Sequence, residues 1–171
     1  MSKSEEQIVD ELVDPIADRP SYSLTESKIA LAGHPIHAML VAFPIALATC
    51  TVAADLLYWW TGDVFWARAA LWTTGVGFLM GLLAGVSGTA ELLLVPGIRA
   101  RAASWTHFIF AMTLLSAFGL NWGIRMTGYQ EAVLPYGLLL SLLVAALTAL
   151  TGWHGGKLVF DYQIGTSSQG N

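Results

Sequence analysis

The sequence predicts an all-α integral membrane protein, an antiparallel four-helix bundle, and three observations favour this fold class. Only 12% of the 171 residues are Asp, Glu, Lys or Arg, about half of the roughly 25% found in soluble domains. Hydrophobic residues make up 55% of the chain, and the mean hydropathy is +0.59. The charges flank long uncharged runs. This pattern excludes a soluble enzyme, a coiled coil and a disordered regulator.

The uncharged runs cover residues 29–54, 69–90, 102–124 and 132–156. Each run is long enough to span, because a helix needs about 20 apolar residues to cross a hydrocarbon core of roughly 30 Å. The runs are continuous and do not alternate, which argues against an outer-membrane barrel. We therefore predict a transmembrane domain over residues 33–160. Its helices are predicted at about 36–60, 64–94, 104–126 and 132–156.

The first helix is predicted to begin at Pro35, because proline suits a first helical position and the residue before it avoids the helical region. Pro44 lies inside this helix and should kink it. Residues 61–63 alone separate the first two helices, which predicts a tight antiparallel hairpin. The second helix, if continuous from residue 64 to 95, exceeds the bilayer core. It must therefore tilt, protrude or break near residues 87–89.

Pro96 and Gly97 end the second helix, and Ser104 is a candidate cap for the third. Residues 125–131 connect the third and fourth helices, and the fourth ends near residues 155–156.

Two tails flank the bundle. Residues 1–32 are acidic and carry no secretory signal, so we expect a mostly flexible tail in the cytoplasm. Residues 161–171 are predicted to form a flexible C-terminal tail. Cytoplasmic loops carry an excess of Lys and Arg. Six Lys and Arg residues lie on the membrane face that carries both termini, and two lie on the opposite face. We therefore expect an inner (cytoplasmic) membrane protein with both termini in the cytoplasm.

Four histidines share one membrane face in this topology. His34 and His37 open the first helix, His107 opens the third, and His154 ends the fourth. Glu91 lies at the same depth and follows a glycine stripe at helical spacing, which predicts that it points into the protein. These side chains are either interfacial groups that bind water, lipid headgroups and backbone, or a ligand cluster.

Helix position distinguishes among these histidines. His37 and His107 lie in the first turns of their helices, where the positive end of the helix dipole favours a neutral imidazole that can ligate a metal. His154 lies near a helix C-terminus, where the charged form suits a headgroup, the Glu91 carboxylate or a haem propionate. His34 precedes a proline and is the least constrained. We expect His34, His154 and Glu91 to be outer partners.

Two neutral imidazoles facing each other across a helix bundle are typical ligands of haem b in a membrane. His37 and His107 are the candidate axial ligands. With Glu91, the same pair is an alternative zinc or iron site. The chain has no CxxCH motif, which excludes covalent haem attachment, and its single cysteine, Cys50, excludes a disulfide within the chain.

A second polar group is predicted at the opposite membrane face. Asp55 lies eighteen residues after His37, on the same helix face but about 27 Å further along. Arg68 lies just across the hairpin, so a structural ion pair between Asp55 and Arg68 is expected, with a proton relay as the weaker alternative. Asn121 and Arg125 are candidates to join this network.

Small residues recur every fourth position in two of the helices. Gly77, Gly81 and Gly85 form such a stripe on the second helix, and Ser141, Ala145 and Ala149 form one on the fourth. Such stripes let helix backbones approach closely, which favours either a compact bundle or a homodimer. The net charge of −4 gives no basic surface for nucleic acid.

Several of these residues occur in motifs that resemble the bacterial membrane protein family named Domain of Unknown Function 2231. The resemblance lies in residues 33–44 (GHPIHAMLVAFP), Asp55, His107 and residues 152–159 (GWHGGKLV), and it extends over roughly residues 30–165. It implies a four-helix inner-membrane protein whose activity is not established. Some relatives resemble fusions to Rieske-type or cytochrome domains, which implies electron transfer.

The sequence thus predicts a small membrane protein that binds haem b and passes electrons to or from a membrane redox partner, without substrate chemistry of its own. Two alternatives remain at this stage. One is a cofactor-free structural or partner-binding protein, and the other is a metal-ion site built from histidines and Glu91.

Overall fold

Four long helices make up the fold in the computed structural model, which describes residues 27–32, 34–161 and 164. A short hairpin pairs β1 (Ala30–Leu31) with β2 (His34–Pro35) and leads into the first span. The helices are α1 (Ile36–Leu40), α2 (Ala42–Thr61), α3 (Val64–Leu94), α4 (Pro96–Arg99), α5 (Ala102–Thr127) and α6 (Leu138–Phe160). The predicted all-α four-helix bundle is confirmed, and four helical segments are long and apolar enough to cross a membrane.

The long helices pack in a ring. Helix α2 packs against α3, α3 against α5, α5 against α6, and α6 closes the ring on α2. Helices α2 and α5 are therefore diagonally opposite, and so are α3 and α6. The hairpin, the starts of α1 and α5 and the ends of α3 and α6 lie at one end of the bundle, which we call the histidine end.

The predicted disturbance at Pro44 appears one turn earlier. The first span is interrupted at Val41, which separates α1 from α2. Proline lacks an N–H and its ring clashes with the carbonyl four residues before it, here that of Leu40. The interruption is slight, since Val41 keeps helical dihedral angles (φ −64°, ψ −21°).

The second span is unbroken, so the predicted alternative of a break near residues 87–89 is not adopted. Helix α3 contains 31 residues and is therefore about 46 Å long, longer than the bilayer core. The preceding hairpin is tight: Gly62 ends α2 with φ +68°, and the Asp63 carboxylate accepts a hydrogen bond of 2.9 Å from the Phe65 N–H.

The fourth span begins at Val133, one residue after its predicted start, but not as regular α-helix. Regular helix begins only at Leu138, and a π-helical turn over Val133–Gly137 precedes it. Leu134 within this turn is extended (φ −119°, ψ 135°) and precedes Pro135, in keeping with the exclusion of pre-proline residues from helical conformation. The last helix continues to Phe160, four residues beyond the predicted end.

Two parts of the predicted tails fall within the described residues and are packed or paired. Ala30 and Leu31 belong to the hairpin, and Ile164 packs against an apolar cluster of Leu92, Val95 and Ile98. Residues 1–26, residues 162–163 and residues 165–171 lie outside the described residues.

The glycine stripe of α3 is used inside the chain. A side chain at Gly77 would meet Phe118 Cε1 at 2.9 Å, and one at Gly81 would meet Leu115 Cδ2 at 2.8 Å. Gly85 likewise faces Leu115 Cδ1 at 3.1 Å. Helix α5 thus covers the glycine stripe of α3, for which the sequence had left open either packing within the bundle or a homodimer contact.

Gly77→Ala is expected to destabilise the bundle by about 1–3 kcal/mol, because the new methyl group overpacks against Phe118 and the Leu47 Cβ atom. Thermal unfolding of the purified protein in detergent measures this effect. Gly152→Ala is the matched control, since nothing lies within 4 Å of its added methyl group. Equal melting temperatures for the two variants would contradict the close packing of α3 against α5.

The outer surface of the bundle is apolar. Large aromatic side chains project at the end opposite the histidines, where Trp60 is 80% exposed and Trp59 and Tyr136 are each more than 60% exposed. Aromatic residues at this depth anchor membrane proteins at the interface, so the surface fits a lipid bilayer.

Candidate functional site

His37 is held at the histidine end by two features of α3. Its Nδ1 atom lies 2.8 Å from the Ala84 carbonyl oxygen, which can only accept a hydrogen bond, so Nδ1 donates. The ring also lies directly on Gly88, where an added Cβ atom would be 2.7 Å from Nδ1. Glycine at this position therefore makes room for the imidazole.

His107 has a closely similar environment on α6. Its Nδ1 atom lies 3.2 Å from the Thr151 carbonyl oxygen, and its Cε1 atom would be 3.1 Å from a Cβ atom at Gly155. A backbone carbonyl thus orients each imidazole, and a glycine one turn further along the same helix admits the ring.

The two imidazoles meet inside the bundle. The ring centroids of His37 and His107 are 6.2 Å apart, with an interplanar angle of 85°. Because each Nδ1 donates to a carbonyl, each ring is fixed as the tautomer whose Nε2 atom keeps its lone pair. The second nitrogen of a metal-ligating histidine likewise usually donates to a carbonyl or carboxylate.

The other two histidines do not join this pair directly. His154 stacks on Phe110, with ring centroids 4.9 Å apart and an angle of 15°. His34 is exposed on the hairpin, where its Nδ1 atom lies 3.0 Å from the Ala32 carbonyl oxygen.

Glu91 points into the protein, as its spacing from the glycine stripe predicts. The residue is only 9% exposed, its Oε1 atom has no hydrogen-bond partner among the described residues, and its carboxyl group interacts with the backbone of Ile29. However, in the described part of the chain no three His, Cys, Asp or Glu side chains are grouped to hold one metal ion. The alternative site of His37, His107 and Glu91 is therefore not assembled.

The structure corrects the predicted ion pair at the opposite end of the bundle. Asp55 is paired with Arg125 of α5, not with Arg68. The guanidinium binds the carboxylate in a bidentate manner, with Nη1–Oδ1 at 2.8 Å and Nη2–Oδ2 at 2.6 Å. Both side chains are fully buried.

The reason for the different partner is the rotation of α3. Ala67 and Ala70 are fully buried and define the face of α3 that packs in the bundle. Successive residues of a helix point about 100° apart, so Arg68 projects outward and is exposed.

Two further side chains complete the network around Arg125. Asn121 accepts from Arg125 Nε at 3.0 Å, and Ser141 donates to Asp55 Oδ2 at 2.7 Å while accepting from both Arg125 and Asn121. The sequence suggested Asn121 but not Ser141. The four-residue spacing of Asn121 and Arg125, which places both on one face of α5, is the signal that favours Arg125 as the partner.

Comparison with known proteins gives a family and no nearer relative. No curated protein and no solved structure matches the chain. The family described as "Predicted membrane protein (DUF2231)" matches residues 33–168. This range includes all four spans, the pair of His37 and His107, and the Asp55–Arg125 network. The chain therefore belongs to this family of predicted membrane proteins.

Proposed function

We propose that this protein is a redox carrier of the cytoplasmic membrane that binds haem b between His37 and His107. The convergence of these two imidazoles supports the proposal, since they come from diagonally opposite spans and approach within 6.2 Å. Helix-bundle interiors are common cofactor sites, and paired histidines are established axial ligands of haem.

The donor set fits this cofactor. The ring centroids of His37 and His107 are 6.2 Å apart, and the Nε2 atoms of both imidazoles would hold the haem iron. Haem b, when bound, supplies one-electron exchange.

The residues of the chain then orient the two imidazoles and keep the histidine pair apart from the Asp55–Arg125 network. The carbonyl oxygens of Ala84 and Thr151 hold the Nδ1 protons of the two imidazoles, which keeps both Nε2 lone pairs directed away from these backbones. Deeper in the bundle, Ala48, Phe118 and Val144 form an apolar layer that separates the histidine pair from the Asp55–Arg125 network.

In this proposal electrons pass through the protein and no substrate is converted. The termini lie in the cytoplasm, as the excess of Lys and Arg beside the histidine end favours. The histidine pair then lies near the cytoplasmic side of the inner membrane. A membrane redox partner, or a second copy of the chain, exchanges the electron.

An optical spectrum of protein purified from its native host tests the proposal. We expect a reduced-minus-oxidised difference spectrum of haem b, with about one haem per chain or per pair of chains. His37→Ala and His107→Ala should each abolish the signal, because each removes one axial ligand. His34→Ala is the matched control and should retain the signal, since His34 is exposed on the hairpin.

The other outcomes identify the alternatives. A colourless preparation with stoichiometric zinc or iron that depends on His37 and His107 supports a metal site. A preparation with neither haem nor metal supports a cofactor-free scaffold. The buried Asp55–Arg125 network is the observation that favours this alternative, because it joins the helices without a cofactor. Haem that survives both histidine replacements would exclude the proposed ligands.

A further inference from the structure

Most hydroxyl groups in the spans bond to a backbone carbonyl of their own helix. Eleven Ser and Thr side chains do so at three or four residues' distance, as Thr148 does to the Val144 oxygen at 2.7 Å. Two buried hydroxyls differ. Ser104 is 3% exposed and Thr151 is 8% exposed, yet their oxygen atoms have no partner among the described residues.

Both exceptions adjoin the histidine pair. The backbone of Thr151 holds His107, and Ser104 lies one turn before His107 on α5. Glu91, with its unpartnered Oε1 atom, lies one turn beyond Gly88, on which the His37 ring packs. Three helices thus each direct one buried, unpartnered oxygen to the same end of the bundle.

Unpartnered buried polar atoms are costly, and buried waters usually satisfy such atoms when several lie together. The three groups also have complementary chemistry for water. The hydroxyls of Ser104 and Thr151 donate and accept, and the Oε1 atom of Glu91 accepts from a water hydrogen.

The opposite side of this cluster is closed. Thr148 lies one turn deeper than Thr151 and its hydroxyl is already bonded to Val144. Ala48, Phe118 and Val144 follow, each 1% exposed, and form a buried apolar cluster against which Phe78, Leu114 and Ala117 pack. Water that reaches Thr151 therefore meets an apolar layer before the Asp55–Arg125 network.

We infer that Glu91, Ser104 and Thr151 line a water-filled entry that opens at the histidine end and stops at the layer of Ala48, Phe118 and Val144. The entry gives water, and the protons it carries, access to the histidine pair from one membrane face only. The inference extends the proposed function by assigning how the site exchanges protons, but its test does not depend on haem.

Accessibility of introduced cysteines tests the entry. Ser104→Cys, Thr151→Cys and Thr148→Cys are made separately in a Cys50→Ser background and placed in oriented vesicles. A membrane-impermeant cationic methanethiosulfonate reagent is added to either side. Thr148→Cys is the matched control, because the native residue has the same type, helix and burial (9% against 8%) but a satisfied hydroxyl. His34→Cys marks the accessible face.

We expect the cysteines at positions 104 and 151 to react at least tenfold faster than the one at position 148, and from the same side as His34→Cys. Glu91→Leu should slow the reaction of Thr151→Cys at least tenfold, since an apolar side chain replaces a lining carboxyl group.

Each contrary outcome overturns the inference. Rates at positions 104 and 151 no faster than at 148 would mean that the cluster is dry. Reaction from the opposite side, or a fast reaction at position 148, would mean that the apolar layer does not close the entry. An unchanged rate with Glu91→Leu would remove Glu91 from the lining. None of these outcomes bears on the haem spectrum.

Discussion

Arg125→Met is expected to lower the free energy of unfolding by about 3–5 kcal/mol, because it leaves the Asp55 carboxylate buried without its partner. Asp55 has no exposed surface and receives both of its charged hydrogen bonds from Arg125. Asp55→Leu should cost a similar amount for the converse reason, since the Arg125 guanidinium then loses the carboxylate. Denaturant unfolding of the purified protein in detergent measures both changes.

The double variant Asp55→Leu/Arg125→Met shows whether the two residues stabilise the protein as an ion pair or whether each position is independently sensitive to substitution. Removing both charges leaves no uncompensated charge, so the double variant should be more stable than either single variant, and the double-mutant cycle should give a coupling energy above about 1 kcal/mol. Arg68→Met is the matched control and should change stability by less than about 0.5 kcal/mol. A loss with Arg68→Met as large as that with Arg125→Met, or additive effects in the cycle, would contradict the network.

The spans could be predicted from sequence because the bilayer restricts the choices. An uncharged run of more than 20 residues has few alternatives to a spanning helix, and a connection as short as residues 61–63 leaves only an antiparallel neighbour. The bounds of α3 and α5 consequently agree with the predicted helices to within two residues. The fourth span begins within one residue of the prediction, but its regular α-helix begins only at Leu138, because Pro135 disfavours helical conformation in the residue before it.

The partner of Asp55 required information that spacing along the chain does not contain. Depth in the membrane made Arg68 and Arg125 equally suitable, and only the rotation of each helix about its axis decides which one faces Asp55. That rotation depends on contacts between helices, such as the packing of Gly77 against Phe118. The same holds for the histidines: topology brings all four to one end, but packing decides that His37 and His107 face each other.

For the proposed haem site, Gly88→Ala is expected to weaken haem binding about 10–100-fold, the usual effect of disturbing a group that orients a metal ligand. The added methyl group would lie 2.7 Å from Nδ1 and 2.9 Å from Cε1 of His37, so the ring must move. Movement of the ring disturbs its hydrogen bond to the Ala84 oxygen and displaces the Nε2 atom that would hold the iron. Titration of haem into protein prepared without it, followed by absorbance, measures the affinity.

Gly123→Ala is the control for this prediction, because Gly123 is also a helical glycine and nothing lies within 4 Å of its added methyl group. It should bind haem as the unchanged protein does. If Gly88→Ala remains folded by its melting temperature and binds haem with unchanged affinity, the position of the His37 ring does not matter for the cofactor, and His37 is not an axial ligand. If both glycine variants lose haem equally, the loss reflects helix disturbance in general and the fit between Gly88 and His37 has no specific role.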